Sequence, residues 1–284
     1  MDIKAARRLK HRAYVRLPAV ALRHRAISPR DVFVLSYPRS GNTWVRFMLA
    51  HLVLGREPSF DDVFSHIPPV GRHRGAPGVL PDGGRLIKSH ERPAPPHGSS
   101  YRRVVYLVRD GREVAVSYYD WYLRKGLYEG PFEGFLRLFL AGRLDGFGAW
   151  HEHVRSWLTS APARANALLV VRYEDLLVRP TENLGRIAEF VGLDATPEQL
   201  EDALVSREQV EAALLARGPQ ARREWGEARG IARGSSREWS RISTPQDREL
   251  FQSAAGDVLA ELGYARGEPP LASEPRPSDR GAHA

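Results

Sequence analysis

The sequence predicts an α/β fold in which a central parallel β-sheet is flanked by helices. Three observations predict it. The strand-length segments are continuous apolar runs, as is typical of strands that are covered on both faces. Longer segments with helical periodicity separate these runs. Polar and basic residues directly follow the runs, at the strand ends where open α/β sheets bind their ligands.

The predicted elements alternate along the chain. Strands are predicted at residues 31–37, 85–89, 103–108 and 167–172, and helices at residues 43–54, 112–123 and 181–191. The chain has 284 residues, of which 42% are apolar, and this is enough for one large domain with its own core. We therefore expect a single domain over residues 31–265.

The two ends of the chain differ in composition from this domain. Residues 1–30 are predicted to form a basic arm or helix, with Lys or Arg at positions 4, 7, 8, 10, 12 and 16. Such an arm is compatible with peripheral contact to an anionic membrane surface, although a solvated basic extension is the simpler interpretation. Residues 266–284 are rich in Pro, Ser, Gly and charged residues, which predicts a disordered tail.

Composition excludes several kinds of chemistry. The chain has no cysteine, which excludes disulfides, thiol catalysis and cysteine-ligated metals. A chain without cysteine also fits a reducing compartment, and we expect a cytoplasmic protein. The formal net charge of +8 is compatible with nucleic acid, anionic lipid or a polyanionic small ligand. Nucleic acid is disfavoured because the arginines are scattered and no known binding module is found.

The hexapeptide PRSGNT at residues 38–43 follows the first predicted strand and opens the first predicted helix. A helix N-terminus offers unpaired backbone N–H groups and a positive dipole end to an anion. Gly41 lets a phosphate approach the backbone, while Ser40 and Thr43 add hydroxyl donors. Arg39 adds a cation. For the hexapeptide alone, an ordinary strand–helix turn with a polar cap is an equally good interpretation.

This loop differs from the G-x-x-x-x-G-K-[ST] loop of nucleoside triphosphatases, in which Lys reaches the phosphates and Ser or Thr binds magnesium. It has neither a Gly at its start nor a Gly-Lys pair. The sequence therefore favours a phosphate site that works without a metal. A kinase-like, nucleotide-dependent phosphotransferase is the alternative function.

Five segments resemble, in the same order, those of sulfotransferases that use 3′-phosphoadenosine-5′-phosphosulfate (PAPS). SYPRSGNTW at residues 36–44 resembles the family's 5′-phosphosulfate loop, and IKSH at 87–90 resembles the segment that supplies its catalytic His. VYLVRDGREVAVSYYDW at 105–121 is similar to the 3′-phosphate segment. RYEDL at 172–176 resembles the family's YED element. RGSSREW at 233–239, followed by TP at 244–245, resembles its C-terminal segment.

The resemblance implies a P-loop-NTPase-like three-layer sandwich and a transferase that moves a sulfuryl group from PAPS to a hydroxyl or an amine. Adenosine 3′,5′-bisphosphate (PAP) would be the product, and no metal is implied. The acceptor would be a glycan, a glycolipid, a phenol or another small metabolite. Neither its identity nor the oligomeric state follows from the resemblance.

Three catalytic residues are implied by the same resemblance. His90 would be the general base, a role that suits imidazole because it titrates near neutral pH. Lys88 and Arg39 would stabilise the charge that develops on the departing 5′-phosphate. Taken alone, a histidine such as His90 is more often a surface or core residue, and Lys88 is consistent with an exposed lysine at a strand end.

The resemblance also implies which residues bind the phosphates of the donor. Residues of the first loop would bind the 5′-phosphate, namely Arg39, Ser40, Gly41, Asn42 and Thr43. Arg109 and Ser117 would bind the 3′-phosphate, and Arg233 and Gly234 would close over it. Without the resemblance, an ion pair or turn of Arg109 with Asp110 is the simpler interpretation.

Two aromatic residues are expected to contact adenine, Trp44 and Tyr173, because aromatic faces stack on bases. Core packing is the alternative for both rings. A further aromatic set lies near the predicted site: Tyr118, Tyr119, Trp121, Tyr122 and Tyr128. These residues could seat an acceptor, although we expect core packing for at least half of them.

Four positions depart from the family's pattern. Arg39 replaces the usual lysine, and a guanidinium keeps the charge but donates no proton at neutral pH. Ala232 and Arg237 stand at two altered positions of the C-terminal segment, and Arg207 stands where an adenine-contacting Phe is expected. These changes bear on donor affinity and leave the strand–loop–helix unit intact.

Overall fold

A parallel β-sheet forms the centre of the computed structural model, which describes residues 22–93, 101–216 and 236–264. Its strands are β1 (Val32–Ser36), β2 (Leu86–Ser89), β3 (Arg103–Val108) and β4 (Leu168–Arg172). Their order in the sheet is β2-β1-β3-β4, and each neighbouring pair is parallel. The α/β fold class is confirmed, and each predicted strand agrees within one residue at either end.

The strand side chains alternate between two apolar layers, one on each face of the sheet. Phe33 and Leu35 belong to the first layer, whereas Val32 and Val34 belong to the second. All four side chains are fully buried. Covered faces explain why the strands are continuous apolar runs in the sequence, and they confirm the three-layer sandwich.

Helices cover both layers. They are α1 (Asn42–Leu54), α2 (Phe60–His66), α3 (Gly111–Arg124), α4 (Phe132–Leu140), α5 (Trp150–Leu158), α6 (Ala161–Arg164), α7 (Tyr173–Val178), α8 (Pro180–Val191), α9 (Pro197–Asp202), α10 (Arg207–Ala216), α11 (Ser236–Ile242) and α12 (Pro245–Glu261). The first layer packs against α3, α4, α5, α11 and α12, and the second against α1, α2, α7, α8 and α10. None of these helices is long and apolar enough to span a bilayer.

The carboxyl ends of the strands meet at one edge of the sheet because all pairs are parallel. The residues that follow β1, β2, β3 and β4 are Tyr37, His90, Arg109 and Tyr173. Four of the five segments that resemble sulfotransferase motifs therefore converge on this edge. The predicted tail at residues 266–284 lies outside the described residues, as do residues 1–21 of the predicted arm.

Candidate active site

The loop after β1 requires a glycine at position 41. Gly41 has φ +90° and is the N-cap of α1. A Cβ atom at this position would lie 2.6 Å from Cδ2 of Tyr173, well inside van der Waals contact. Both the backbone conformation and the close ring therefore exclude a side chain here. The loop is thus pressed against the first residue of α7.

Polar atoms of this loop are buried without protein partners. Within the described residues, the Ser40 hydroxyl and Oδ1 of Asn42 have no hydrogen-bond partner. The amide nitrogen of Asn42 donates to the backbone oxygen of Val34 at 3.0 Å, which ties the start of α1 to β1. Buried polar atoms are normally satisfied, so the free Ser40 hydroxyl needs an explanation. A donor beside a helix N-terminus fits an anionic oxygen such as that of a phosphate.

Arg39 joins the first loop to the segment that was expected to bind the 3′-phosphate. Its Nε donates to Oγ of Ser117 at 3.1 Å, and its backbone oxygen accepts from Nη1 of Arg109 at 3.2 Å. The structure therefore brings Arg39, Arg109 and Ser117 together. Burial lowers the pKa of Arg39 to about 10, and the charge of Arg109 adds to this effect. Arg39 remains a cation at neutral pH.

Arg109 has a protein environment of its own. Its guanidinium carbon lies 4.7 Å from the centre of the Tyr173 ring, and Nη2 lies 3.6 Å from the Glu113 carboxylate. Asp110 pairs instead with Arg112 at 2.6 Å, so the simpler interpretation of an Arg109–Asp110 ion pair is wrong. Burial raises the pKa of Glu113 to about 7, against the opposing effect of Arg109. Glu113 is therefore only partly ionised near neutral pH.

Trp44 and Tyr173 pack against each other at the predicted adenine position. Their ring centres are 5.8 Å apart in an edge-to-face arrangement, and both side chains are buried. Nε1 of Trp44 donates to the backbone oxygen of Val205 at 2.7 Å, which connects α1 to the segment before α10. Both rings belong to the second apolar layer. Core packing thus accounts for much of their surface, and any ligand contact uses the remaining edges.

His90 follows β2 directly, and its ring orientation is fixed. Nδ1 lies 2.7 Å from the backbone oxygen of Ser36. A carbonyl oxygen only accepts, so Nδ1 carries the proton and Nε2 holds the lone pair of the neutral ring. Nε2 has no hydrogen-bond partner in the part of the chain that is described. The pKa of His90 is well below its usual value because the ring is desolvated and Lys88 is close.

Lys88 lies on β2, two residues before His90. Leu86 faces the second apolar layer and Ile87 faces the first, so alternation directs Lys88 toward the α1 side of the sheet. No hydrogen-bond or ion-pair partner of its ammonium group is found over the described ranges. Burial lowers the pKa of Lys88 to about 7, and the charge of Arg46 lowers it further. An amine that is about half protonated at pH 7, and that has no partner among the described residues, thus lies on the same side of the sheet as α1.

Arg46 was not anticipated from the sequence. It is almost fully buried on α1 and donates to the backbone oxygens of Val63 and Ile67, which end α2. Burial lowers its pKa to about 9. Cations are favourable at a helix C-terminus, so Arg46 holds α2 against α1. The sequence did contain one indication of a buried arginine: Arg46 is the single charged residue in the apolar run WVRFMLA.

Two further groups around His90 were missed. The Glu91 carboxylate accepts hydrogen bonds from Arg23, His24 and Tyr101. His153, on α5, hydrogen-bonds the backbone oxygen of His90 at 3.0 Å. The spacing of Trp150, His153 and Trp157 places all three on the inner face of α5, which was the readable signal for a buried histidine.

Some predicted site residues fall beyond the described ranges, and others have structural roles. Arg233, Gly234 and Ala232 lie outside the described residues. In the aromatic set, Tyr118 and Tyr122 are buried in the first apolar layer, and Tyr119, Trp121 and Tyr128 pack against it. Core packing therefore accounts for Tyr118 and Tyr122, while the other three side chains are only partly buried. Over the described ranges, no group of three or more His, Cys, Asp or Glu could hold a metal ion.

Comparison with known protein families assigns this architecture. The model of the sulfotransferase domain matches residues 29–263, which is most of the chain. The chain belongs to the sulfotransferase family. This identification disfavours the kinase-like alternative, which shares the fold class but differs in the phosphate loop.

Individual sulfotransferases are similar to the chain over part of its length. Sulfotransferase 1A1 of Bos taurus is 30% identical over 200 residues, which are 63% of this chain and 64% of that protein. Sulfotransferase 1A1 of Canis lupus familiaris is 32% identical over 192 residues, 62% of this chain and 63% of that protein. Flavonol 4′-sulfotransferase of Flaveria chlorifolia is 28% identical over 194 residues, which are 62% of this chain and 60% of that protein. The chain thus spans just under two thirds of these curated relatives.

Solved structures of sulfotransferases and related proteins share the fold. Mouse sulfotransferase SULT7A1 complexed with PAP is 21% identical with a TM-score of 0.63, covering 86% of this chain and 91% of that chain. Retinol dehydratase in a complex with retinol and PAP is also 21% identical, with a TM-score of 0.65. The match covers 87% of this chain and 86% of that chain. At this identity the likeness establishes the architecture.

Proposed function

We propose that this protein transfers a sulfuryl group from PAPS to the hydroxyl or amine of an acceptor, with His90 as general base. One observation carries the proposal. His90 is held as the Nδ1–H tautomer on Ser36, with Nε2 unpaired among the described residues, at the edge of the sheet where the phosphate loop opens α1. Family membership supports the reaction class, and the PAP complexes of the two structural relatives support the donor.

The base step uses Nε2 of His90. Desolvation and the nearby charge of Lys88 hold the pKa of His90 well below its usual value, so the ring is neutral at physiological pH. A neutral imidazole with a free Nε2 accepts the proton of an acceptor hydroxyl as the oxygen attacks. A bound anionic donor offsets the charge of Lys88, which raises the basicity of His90 when it is needed.

Binding of the donor is assigned to the residues that surround Arg39. The Ser40 hydroxyl and the N-terminus of α1, at Asn42 and Thr43, would hold the 5′-phosphate. Arg109 and Ser117 would hold the 3′-phosphate, together with Arg233 and Gly234 from the C-terminal segment. Trp44 and Tyr173 would offer their ring edges to the adenine.

Charge stabilisation is assigned first to Lys88. PAPS supplies an activated sulfuryl group, and its transfer leaves negative charge on the 5′-phosphate of PAP. Lys88 lies on the α1 side of β2 with no hydrogen-bond or ion-pair partner among the described residues, and the charge of Glu91 acts on it only at longer range. Arg39 hydrogen-bonds Ser117, so its charge reaches both phosphate positions from one side. Removing one such donor costs other enzymes about 3 kcal/mol of transition-state stabilisation.

The acceptor is proposed only by class, as a small molecule or a glycan. The relatives include a flavonol sulfotransferase and a protein bound to retinol, and these ligands belong to those proteins. The segments at residues 94–100 and 217–235 lie outside the described residues.

The proposal is tested first by thermal stabilisation with PAP, AMP, ADP and ATP, each with and without magnesium. A ligand at a hundred times its dissociation constant adds about 2.7 kcal/mol of stability. We expect PAP to stabilise the protein without magnesium and more strongly than AMP. Transfer from labelled PAPS to phenol and glycan panels then measures activity, and His90→Asn should abolish it while PAP binding persists. Stabilisation by ATP with magnesium alone would overturn the proposal.

A further inference from the structure

A second histidine lies behind the candidate base. His153 is on α5 and is completely buried. Its Nε2 lies 3.0 Å from the backbone oxygen of His90, and its Nδ1 lies 2.9 Å from the hydroxyl of Tyr106. Both ring nitrogens are therefore used within the protein, and neither is directed toward a substrate.

The hydrogen bonds fix the protonation of this ring. The backbone oxygen of His90 only accepts, so Nε2 of His153 must carry the proton. Nδ1 then accepts, and the Tyr106 hydroxyl donates to it. Burial lowers the pKa of His153 to about 3, which keeps the ring neutral throughout the physiological range. His153 is consequently a permanent donor to the main chain of His90 rather than a titrating group.

His153 also joins three strands of the sheet. Its ring stacks on Tyr106 of β3, with centres 5.8 Å apart and planes at 21°. The ring of Tyr37, which directly follows β1, meets His153 edge-on with a centre distance of 5.4 Å. Through His90 it contacts the end of β2. One helix residue therefore contacts residues of β3 and the residues that directly follow β1 and β2.

His90 has two anchors as a result. Its side chain is tied to the end of β1 through Nδ1 and Ser36, and its main chain is tied to α5 and β3 through His153. With both ends of the residue fixed, Nε2 has one direction available. Proton abstraction depends on such direction, since a misplacement of about 1 Å costs about a hundredfold in rate.

We propose that His153 is a positioning residue for sulfuryl transfer, which holds the main chain of His90 so that Nε2 is directed at the acceptor. The inference rests on the proposed function of His90 as base. The proposal gives a role in the reaction to helix α5, which lies outside all five motif segments.

The molecule contains a matched control. His73 is also completely buried, and its Nδ1 accepts from the backbone N–H of Gly71. It lies at the opposite edge of the sheet, where its backbone oxygen accepts from Arg85, the residue before β2. His73→Leu and His153→Leu therefore remove the same buried ring from the two ends of the sheet. Only the second change removes the donor to His90.

The experiment compares His153→Leu, His153→Gln and His73→Leu. We expect His153→Leu to lower kcat about a hundredfold, while KM for PAPS and the stabilisation by PAP stay unchanged. His153→Gln should restore kcat to within about tenfold of the original protein because its amide N–H can donate to the same oxygen. The midpoint of the acid limb of the pH–rate profile should not move. His73→Leu should lower the melting temperature without lowering kcat.

Loss of stability in His153→Leu without loss of kcat, as in His73→Leu, would overturn the inference. So would a folded His153→Gln variant no more active than His153→Leu. Failure of the proposed function is distinguished by His90→Asn, which would then retain activity. A readout independent of turnover is the ¹⁵N spectrum of the histidine rings, with His90→Asn identifying the signal of His90. We expect a single Nδ1–H tautomer that becomes mixed or broadened in His153→Leu and is kept in His153→Gln, and an unchanged signal in His153→Leu contradicts the inference.

Discussion

Nε of Arg39 donates a hydrogen bond to Oγ of Ser117 across 3.1 Å, and this contact joins the first loop to helix α3. Arg39 adopts φ +71°, which is uncommon for a residue with a side chain. Its backbone oxygen is held in this conformation by Arg109. The two halves of the proposed donor site are therefore coupled by protein contacts.

Replacing Ser117 with Ala should weaken PAP binding about tenfold and leave AMP binding nearly unchanged. Ser117 is assigned to the 3′-phosphate, which AMP lacks, and a hydrogen bond to a charged group contributes about 1.5–3 kcal/mol. Calorimetric titration with the two nucleotides measures the difference. Equal losses for PAP and AMP would mean that Ser117 acts only through Arg39.

Replacing Gly41 with Ala should abolish the stabilisation by PAP. The added Cβ would lie 2.6 Å from Cδ2 of Tyr173 in a backbone conformation that already disfavours a side chain. Gly55→Ala is the matched control, because Gly55 ends the same helix with φ +64° and a Cβ added there would have no atom within 4 Å. It should cost about 1 kcal/mol and keep PAP binding. Thermal melts of both variants with and without PAP make the comparison.

Replacing Lys88 with Met should raise the melting temperature at pH 7 while abolishing transfer. Burial lowers the pKa of Lys88 to about 7 from 10.5, so the folded state disfavours its charged form. Between pH 7 and 10.5 the unfolded chain binds more protons, and the free energy of unfolding of the original protein rises with pH. The advantage of Lys88→Met should thus be largest at or below pH 7 and shrink toward pH 10. A difference independent of pH would contradict this account.

Replacing Glu91 with Gln should lower the free energy of unfolding by about 3 kcal/mol at pH 7, because buried basic partners lose their counterion. Burial alone would raise the pKa of Glu91, but His24 and Arg23 outweigh it and lower the pKa to about 2. The stabilisation is present above pH 4.5 and is lost as the pH falls through about 2. Urea titrations of both proteins from pH 7 to 2 should converge. A difference in the free energy of unfolding that stays constant over this pH range would show that the variant is destabilised by altered packing rather than by the lost charge.

The sheet could be predicted from the sequence because its signals are local. Residues 104–108 form an apolar run between Arg103 and Arg109, and the strand in the structure has the predicted bounds, 103–108. Gly41 was identified from its place between a strand and a helix, and its φ of +90° agrees with the expected turn. Such features depend on neighbours along the chain, which a single sequence displays.

The contacts that hold the site residues in place could not be predicted in the same way. His153 and Tyr106 are 47 residues apart, and nothing in either segment specifies that they share a hydrogen bond. Arg23 and Glu91 are 68 residues apart, and their hydrogen bond has no signal in either segment. Long-range pairing of polar groups follows from packing, which the motif segments do not contain.

Every neighbouring pair in this sheet is parallel, so no two of its adjacent strands, β1 to β4, are joined by a hairpin. His90 reaches Ser36, and Tyr173 reaches Gly41, only after long crossover segments have closed, and such closures are slow. During synthesis, β4 and Tyr173 must leave the ribosome before the proposed donor site can be complete. Affinity for the proposed donor should therefore be acquired late in folding.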